Sequence, residues 1–493
     1  MIGAIGQTSN IAAAVYRHAQ TAPDQEALVA LDIRLSYRAL WQISLVFAAR
    51  MKALGVGRGT MVFVHSRDAI ASVAVMLGTQ LLGSRFELYS EQGVARTPTG
   101  FLLYSPDQRE PDGLPDTLSA VQMTPAWSPK HTKVPDATPE SCPGYLNADD
   151  SWWTMYTSGT TGKPKALLLS YRMAFDRSAA VRGDFSGAET RFCSLFPCTV
   201  RPFFVRAMAA LLNGSTIVDS LDPAFLIKEQ VTLVAGAPRH ATDWVAKSRA
   251  TRKLPKLQVS GAALSKLQIQ DLLRHFDVVE DVYGSSETNK AYVTYYRAGP
   301  DGIESAGVPQ DSVVEIVDDQ GQPCKAGAPG LIRIKNTYSV DHYEDAPEAT
   351  SRTFRDGWFL PGDRASWSES GALSILGRTD TLLNVDGDKI DPVAIESVLM
   401  SVSGVRLAAV FRDPRPESGP VILAAFELEP EANHDRTLES AIRKCLAEIG
   451  PRWTPATAIV LPAIPTTPDG TPRRQECAAL AQKMFAQSQP PIV

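Results

Sequence analysis

Thr157-Ser158-Gly159-Thr160-Thr161-Gly162-Lys163-Pro164-Lys165 is the stretch whose chemistry is most specific in this chain. Its two glycines let the backbone turn so that successive N–H groups face one concavity. Hydroxyls at 157, 158, 160 and 161 add donors, and Lys163 and Lys165 add positive charge. Such a loop can wrap a polyphosphate. It is not the familiar G-x-x-x-x-G-K-[ST] loop, which opens a helix, because Pro164 follows the first lysine and a strand-like run, Lys165-Ala166-Leu167-Leu168-Leu169, follows that. A second strand-like run, Trp152-Trp153-Thr154-Met155-Tyr156, precedes it. The alternative reading of the stretch is a polar hairpin connection.

Working outward, the first hundred residues alternate helix and strand signals. Ser36 is positioned to cap a helix with Leu40, Ile43, Phe47, Met51 and Leu54 on one stripe and Gly55 as its stop. Thr60-Met61-Val62-Phe63-Val64 reads as a buried strand, and Ala69 to Leu82 as a helix. This order predicts α/β layering. Eight prolines between Tyr104 and Asn147 predict a loop-rich connection. More α/β material runs to about residue 290, then strand-and-turn sequence from Ser312 to Leu376. A fresh set closes the chain: a helix over Pro392–Met400, a strand over Leu407–Phe411 and a helix over Thr437–Ile449. That is enough for a small α/β domain of its own.

Composition narrows the function. The 493 residues are 44% hydrophobic and 21% charged, as in ordinary globular proteins, and long enough for two to four domain-sized units. Forty-nine Lys and Arg against 54 Asp and Glu leave a net charge of −5, interleaved along the sequence, without the basic footprint of a nucleic-acid binder. Six cysteines are too sparse for a disulfide scaffold; Cys193 and Cys198 are the only close pair, and buried thiols are expected. Seven scattered histidines give no metal-ligand spacing. The start of the chain has no basic and apolar secretory pattern, and no apolar run reaches the ~20 residues of a bilayer span. A soluble, cytoplasmic protein is the expectation.

Four further segments carry candidate chemistry. Val259-Ser260-Gly261-Ala262-Ala263-Leu264 is a strand end followed by small residues that let a backbone approach a ligand. Asp281-Val282-Tyr283-Gly284-Ser285-Ser286-Glu287 joins an aromatic to a turn, hydroxyls and an acid. Trp358-Phe359-Leu360-Pro361-Gly362-Asp363 ends on a turn aspartate, and Gly377-Arg378-Thr379-Asp380 is followed by a loop through Gly387. Together with the 157–165 stretch, and in this order, they resemble the signature motifs of the adenylate-forming superfamily: acyl-CoA synthetases, adenylation domains of nonribosomal peptide synthetases and luciferases. The resemblance covers nearly the whole chain. It is specific for the superfamily and unspecific for the substrate.

The resemblance implies a large multi-sheet N-terminal ATP- and acyl-binding domain, residues 1–379, and a small mobile α/β C-terminal domain, residues 380–493, hinged at Asp380. It implies ATP with Mg2+, a carboxylic acid substrate, and CoA or the phosphopantetheine arm of a separate acyl carrier protein as acceptor. Carried over residue by residue, Thr157, Ser158, Gly159, Thr160, Thr161, Gly162, Lys163 and Lys165 would hold phosphates, with Thr160 and Lys163 among the catalytic groups. Gly261, Ala262 and Ala263 would line the acyl and adenine pocket. Tyr283 would stack on adenine beside Gly284 and Ser285, Ser286 would meet phosphate, and Glu287 would hold the magnesium. Asp363 would bind the ribose hydroxyls, Arg378 would reach the ribose or phosphate, and Gly387 would lie on the loop that lines the pantetheine tunnel.

The pattern is broken at its end. The family's P-x-T-x-x-G-K-x-x-R is matched by Pro465-Thr466-Thr467-Pro468-Asp469-Gly470-Thr471-Pro472-Arg473-Arg474, with Thr471 where the lysine stands. Losing one preorganised donor costs ~10²–10³ in rate; Arg473 and Arg474 are the nearby cations. Other departures are Pro361 for Thr, Ala166 for Gly and Tyr171 for His. Phe196-Pro197-Cys198-Thr199-Val200-Arg201-Pro202-Phe203-Phe204 lacks the His gate of relatives. Arg201, Arg206 and Arg239 lie where they could border the acyl pocket and pair with a second acidic group. The alternatives are therefore an enzyme that bypasses adenylation and a non-catalytic nucleotide-binding homologue.

Overall fold

The structure is a computed structural model that describes residues 10–146, 148–157, 165–249, 252–262, 264–379, 382–385, 388–415, 421–467 and 471–488. Among these, two large sheets dominate the N-terminal part. The first has nine strands in the order Gly302–Pro309, Asn289–Gly299, Phe276–Ser285, Leu254–Ser260, Leu233–Gly236, Arg191–Ser194, Thr216–Asp219, Glu26–Ala30, Ile33–Ser36. From Phe276–Ser285 across to Glu26–Ala30 all neighbours are parallel. The second has six strands, Leu118–Gln122, Gly100–Tyr104, Met61–His65, Arg85–Leu88, Ser151–Thr157 and Lys165–Ser170, parallel except for the last pair.

The helices Ile11–Thr21, Tyr37–Ala53, Ala69–Leu82 and Arg201–Leu212 fill the space between them, and one continuous apolar core joins both sheets. The Ala69–Leu82 helix is buried on nearly every side and is apolar but for Ser72, Thr79 and Gln80. Asp68 caps it, accepting from Ile70 N at 2.8 Å and Ala71 N at 3.2 Å. Ser36 caps Tyr37–Ala53 as the sequence predicts, taking Ala39 N at 3.2 Å. Phe86, Trp152, Trp153 and Phe204 pack ring against ring in this core. Tyr171 belongs here too: it is fully buried, and its hydroxyl donates to Ser84 O at 2.6 Å.

A third, antiparallel sheet includes Gly330–Asn336, Asp363–Trp367 and Leu373–Arg378. Beyond it, Val405–Arg412, Ile422–Leu428 and Thr457–Val460 form a separate sheet. Because side chains alternate along a strand, Val410 and Phe426 face the helices Pro392–Met400 and His434–Glu448, whereas Leu407 and Leu423 face the helix Arg474–Ser488. The helix predicted over Thr437–Ile449 starts at His434, because Asn433 caps it through Arg436 N at 3.0 Å.

The predicted loop between Tyr104 and Asn147 needs correction. Leu118–Gln122 is an edge strand of the six-stranded sheet, and short 3-10 turns start at Pro125, Pro139 and Pro143. Five residues with only one fully buried side chain give no clean alternation to read. Cys193, Cys198, Cys445 and Cys477 are buried free thiols. No helix among the described residues is long and apolar enough to cross a membrane.

Candidate functional site

The carboxyl ends of the parallel strands Arg191–Ser194, Leu233–Gly236, Leu254–Ser260 and Phe276–Ser285 lie along one edge, the place where open α/β sheets take their ligands. Gly261 and Ala262 follow one of these ends and are exposed. Tyr283, Gly284 and Ser285 finish the next. A bulge at Tyr283/Gly284 brings the chain so close to its antiparallel neighbour that a Cβ on Gly284 would sit 2.0 Å from Asn289 O, so only glycine fits.

Three predicted residues meet at this edge. The Tyr283 hydroxyl donates to Asp363 Oδ2 at 2.5 Å, and Arg378 Nη1 lies 3.4 Å from Asp363 Oδ1. Asp363 and Arg378 are cross-strand partners, the first and last residues of the Asp363–Trp367 and Leu373–Arg378 strands. Burial, then the Asp363 carboxylate, pushes the Tyr283 phenol well up, so it stays a donor. Tyr283 thus presents a polar handle to Asp363 as well as the ring face read from the sequence.

Glu287 stands in the turn after Ser285 and is buried, 7% exposed. Ser285 Oγ accepts from Glu287 N at 3.2 Å and Thr288 N at 3.3 Å, so its hydroxyl shapes the turn. Ser286 adjoins Glu287 in this turn and is partly buried. Glu287 Oε1 accepts from Tyr343 Oη at 2.7 Å, and among the described residues no Lys or Arg nitrogen lies within 4.0 Å of the carboxylate. The Tyr343 ring in turn carries Lys165 Nζ at 4.8 Å from its centroid. Thr157 and Lys165 face one another at the end of the Ser151–Thr157/Lys165–Ser170 pair. Residues Ser158, Gly159, Thr160, Thr161, Gly162 and Lys163 lie outside the described residues, as do Ala263, Asp380 and Gly387.

Arg177 escaped the sequence reading. It is 5% exposed and donates to three carbonyls: Tyr338 O at 2.8 Å, Ser286 O at 2.8 Å and Glu287 O at 2.7 Å. Its own carbonyl takes Asn289 Nδ2 at 3.2 Å. Burial, then Arg201, pushes the guanidinium down to about 9. The signal was legible: Tyr171, Ala174, Arg177 and Ser178 form the buried stripe of their helix, and an arginine on such a stripe has an interior partner. Tyr343, alone in an irregular segment, had no such signal.

The chain matches the AMP-binding enzyme family model over residues 15–86 and 103–343. It belongs to this family. The model of the family's C-terminal domain also matches, over residues 394–471. Among curated relatives, the chain is 26% identical to the 2-hydroxy-7-methoxy-5-methyl-1-naphthoate–CoA ligase of Streptomyces carzinostaticus, over 94% of this chain and 92% of the relative. It is 24% identical to surfactin synthase subunit 1 of Bacillus subtilis over 94% of its own length, and there spans 14% of that much longer protein. The o-succinylbenzoate CoA synthetase of Bacillus subtilis, solved with ATP and magnesium ion, superposes with a TM-score of 0.78 at 21% identity, covering 94% of this chain and 98% of that one. Family membership and fold are those of the adenylate-forming enzymes: α/β, a large N-terminal and a smaller C-terminal part.

The geometry gives partners to two of the cations singled out in the sequence. Arg239 Nη2 reaches Glu427 at 3.2 Å, and Glu427 also pairs with Arg406 at 3.3 Å, so Arg239 ties the Pro238–Lys247 helix to the C-terminal sheet. Arg474 is held by both oxygens of buried Glu396, at 2.6 and 2.8 Å. Arg473 makes an exposed pair with Glu476. The acyl region also gains a histidine that its own segment lacks: His240 packs edge-on to Phe196 at 5.3 Å.

Proposed function

We propose that this protein converts a carboxylic acid and ATP to an acyl-adenylate and pyrophosphate, and then passes the acyl group to a thiol, of CoA or of a carrier protein's pantetheine. The observation that carries this reading is the convergence of Tyr283, Asp363 and Arg378 at the carboxyl edge of the parallel sheet, beside the turn that presents Glu287. In the first step a carboxylate oxygen attacks the α-phosphorus, and the bond to the bridging oxygen of pyrophosphate breaks, pyrophosphate taking the electron pair. In the second, the thiol loses its proton and attacks the acyl carbon, and AMP leaves.

The roles follow from the chemistry of each group. Asp363 accepts the ribose hydroxyls, its carboxylate held in place by Tyr283 and Arg378. Arg378, 3.4 Å from Asp363, reaches the ribose or the phosphate. Lys163 and Thr160 complete the phosphate cradle with Thr157 and Lys165. Glu287 fits a hard cation: a buried carboxylate whose Oε1 accepts from Tyr343, with no ammonium or guanidinium within 4.0 Å among the described residues. Bound there, Mg2+ would neutralise charge on the triphosphate oxygens. The domain boundary at 379/380, with Asp380 as hinge, follows the same reading.

The test is acid-dependent exchange of labelled pyrophosphate into ATP. Exchange above background with at least one acid, abolished by Glu287→Gln, is expected; nucleotide binding without exchange for any acid favours the non-catalytic reading. The second reading, an enzyme weak in adenylation, draws on one observation: Arg474 is committed to Glu396, which leaves Arg473, in an exposed pair with Glu476, as the nearby cation of the two. Thr471→Lys should raise the exchange rate by ~10²-fold. An unchanged rate means that adenylation here has another cation.

A further inference from the structure

Arg206 is the feature of the acyl side that the reading above leaves unused. It stands on the Arg201–Leu212 helix, and its guanidinium reaches the carboxyl edge of the parallel sheet. Nη2 donates to Ser260 Oγ at 3.2 Å, one residue before Gly261, and the group lies 5.5 Å from the Phe196 ring centroid. Phe196 follows and Ser260 ends the two parallel strands that flank Leu233–Gly236, and Gly261 and Ala262 stand exposed beside Ser260. The guanidinium is therefore wedged between the Phe196 segment and the small-residue loop.

Its own needs are not met there. Nη1 returns to Pro202 O at 3.2 Å within its helix, and Nε is buried without a hydrogen-bond partner. The two nearest carboxylates are spent elsewhere. Asp184 is held by Lys290 Nζ at 2.8 Å, and Glu280 by Lys256 Nζ at 2.9 Å and Gln258 Nε2 at 2.8 Å. Neither lies within 4.0 Å of Arg206. Burial pushes the guanidinium down to about 10, which leaves it charged at neutral pH. A cation with its Nε buried and no carboxylate within 4.0 Å among the described residues is costly, and an anion arriving with a ligand removes that cost.

We propose that the acid substrate carries a second carboxylate, remote from the one that is activated, and that Arg206 with Ser260 binds it. This rests on the adenylation reading and specifies its substrate class. A planar fork donating to a carboxylate discriminates strongly against an analogue without it, because the fork is then left unpaired.

The test uses two acyl-sulfamoyl-adenosine mimics of the same length, one ending in a carboxylate and one in its methyl ester, with AMP as a third ligand. Calorimetry on the full chain should give at least ~100-fold tighter binding of the carboxylate. Arg206→Met should shrink that ratio to within about threefold, and Arg206→Lys should recover part of it. Equal or tighter binding of the ester by the unmodified protein overturns the proposal, with no variant needed. So does a Met variant that loses both mimics in equal measure, since Arg206 would then serve the reacting end. If neither mimic nor AMP binds the unmodified protein, the adenylation reading itself falls, and this proposal with it.

Discussion

Replacing Arg177 by Met tests whether the turn that presents Glu287 is held from beneath. The substitution keeps most of the aliphatic volume and removes three short bonds to carbonyls of Tyr338, Ser286 and Glu287. Hydrogen bonds to a charged group contribute about 1.5–3 kcal/mol each. Not all of that is lost, because Glu287 O keeps Val340 N at 2.9 Å, and the cost of burying a guanidinium disappears with it. About 3–5 kcal/mol of stability should go, a large part of the ~5–15 kcal/mol typical of a folded protein. Function should change with it: half-saturating Mg2+ in pyrophosphate exchange rises ~10-fold, because the Glu287 carboxylate no longer has a fixed place. Arg177→Lys, which can serve fewer carbonyls, falls between. Urea unfolding and a magnesium titration on the same samples decide it. A loss under about 0.5 kcal/mol refutes the structural part, and lost stability with an unchanged titration refutes the link to Glu287.

Two further outcomes follow from other buried acids. Glu87 is 1% exposed, both its oxygens lack partners, and burial pushes it up to about 8. Its folded value is raised, so the unfolded chain releases the proton first, and stability falls as pH climbs from about 4.5 to about 8 before levelling off. Glu87→Gln should gain about 2–3 kcal/mol at pH 7 and little at pH 5; equal gains at both, by urea unfolding, would falsify this account. Glu427 joins Arg239 and Arg406, and its Oε2 accepts Ile464 N at 2.9 Å. Glu427→Gln leaves two partly exposed guanidinium groups with only the more distant Asp243 carboxylate, at 3.9 and 4.0 Å, between them among the described residues; it costs about 1–3 kcal/mol and should speed proteolytic cutting near residue 380, and an unaltered digestion rate counts against a tie between the two parts.

The sequence by itself determined most of the local structure, because local rules govern it. Pro392 to Met400 and Ala69 to Leu82 carry their own helix starts, and the apolar runs around 157–165 could only be strands. The order of motifs identified the superfamily, since glycines, hydroxyls and acids at fixed intervals record what a nucleotide demands of a backbone. What only the tertiary structure decided is which charges stand alone. Arg239, Arg474 and Arg206 look alike in sequence; packing gives the first two to Glu427 and Glu396 and leaves the third facing the sheet edge. Likewise the pairing of Tyr343 with Glu287 and of Tyr283 with Asp363 joins residues 56 and 80 positions apart. Electrostatic roles depend on distance and burial, and neither is written along the chain until it has folded.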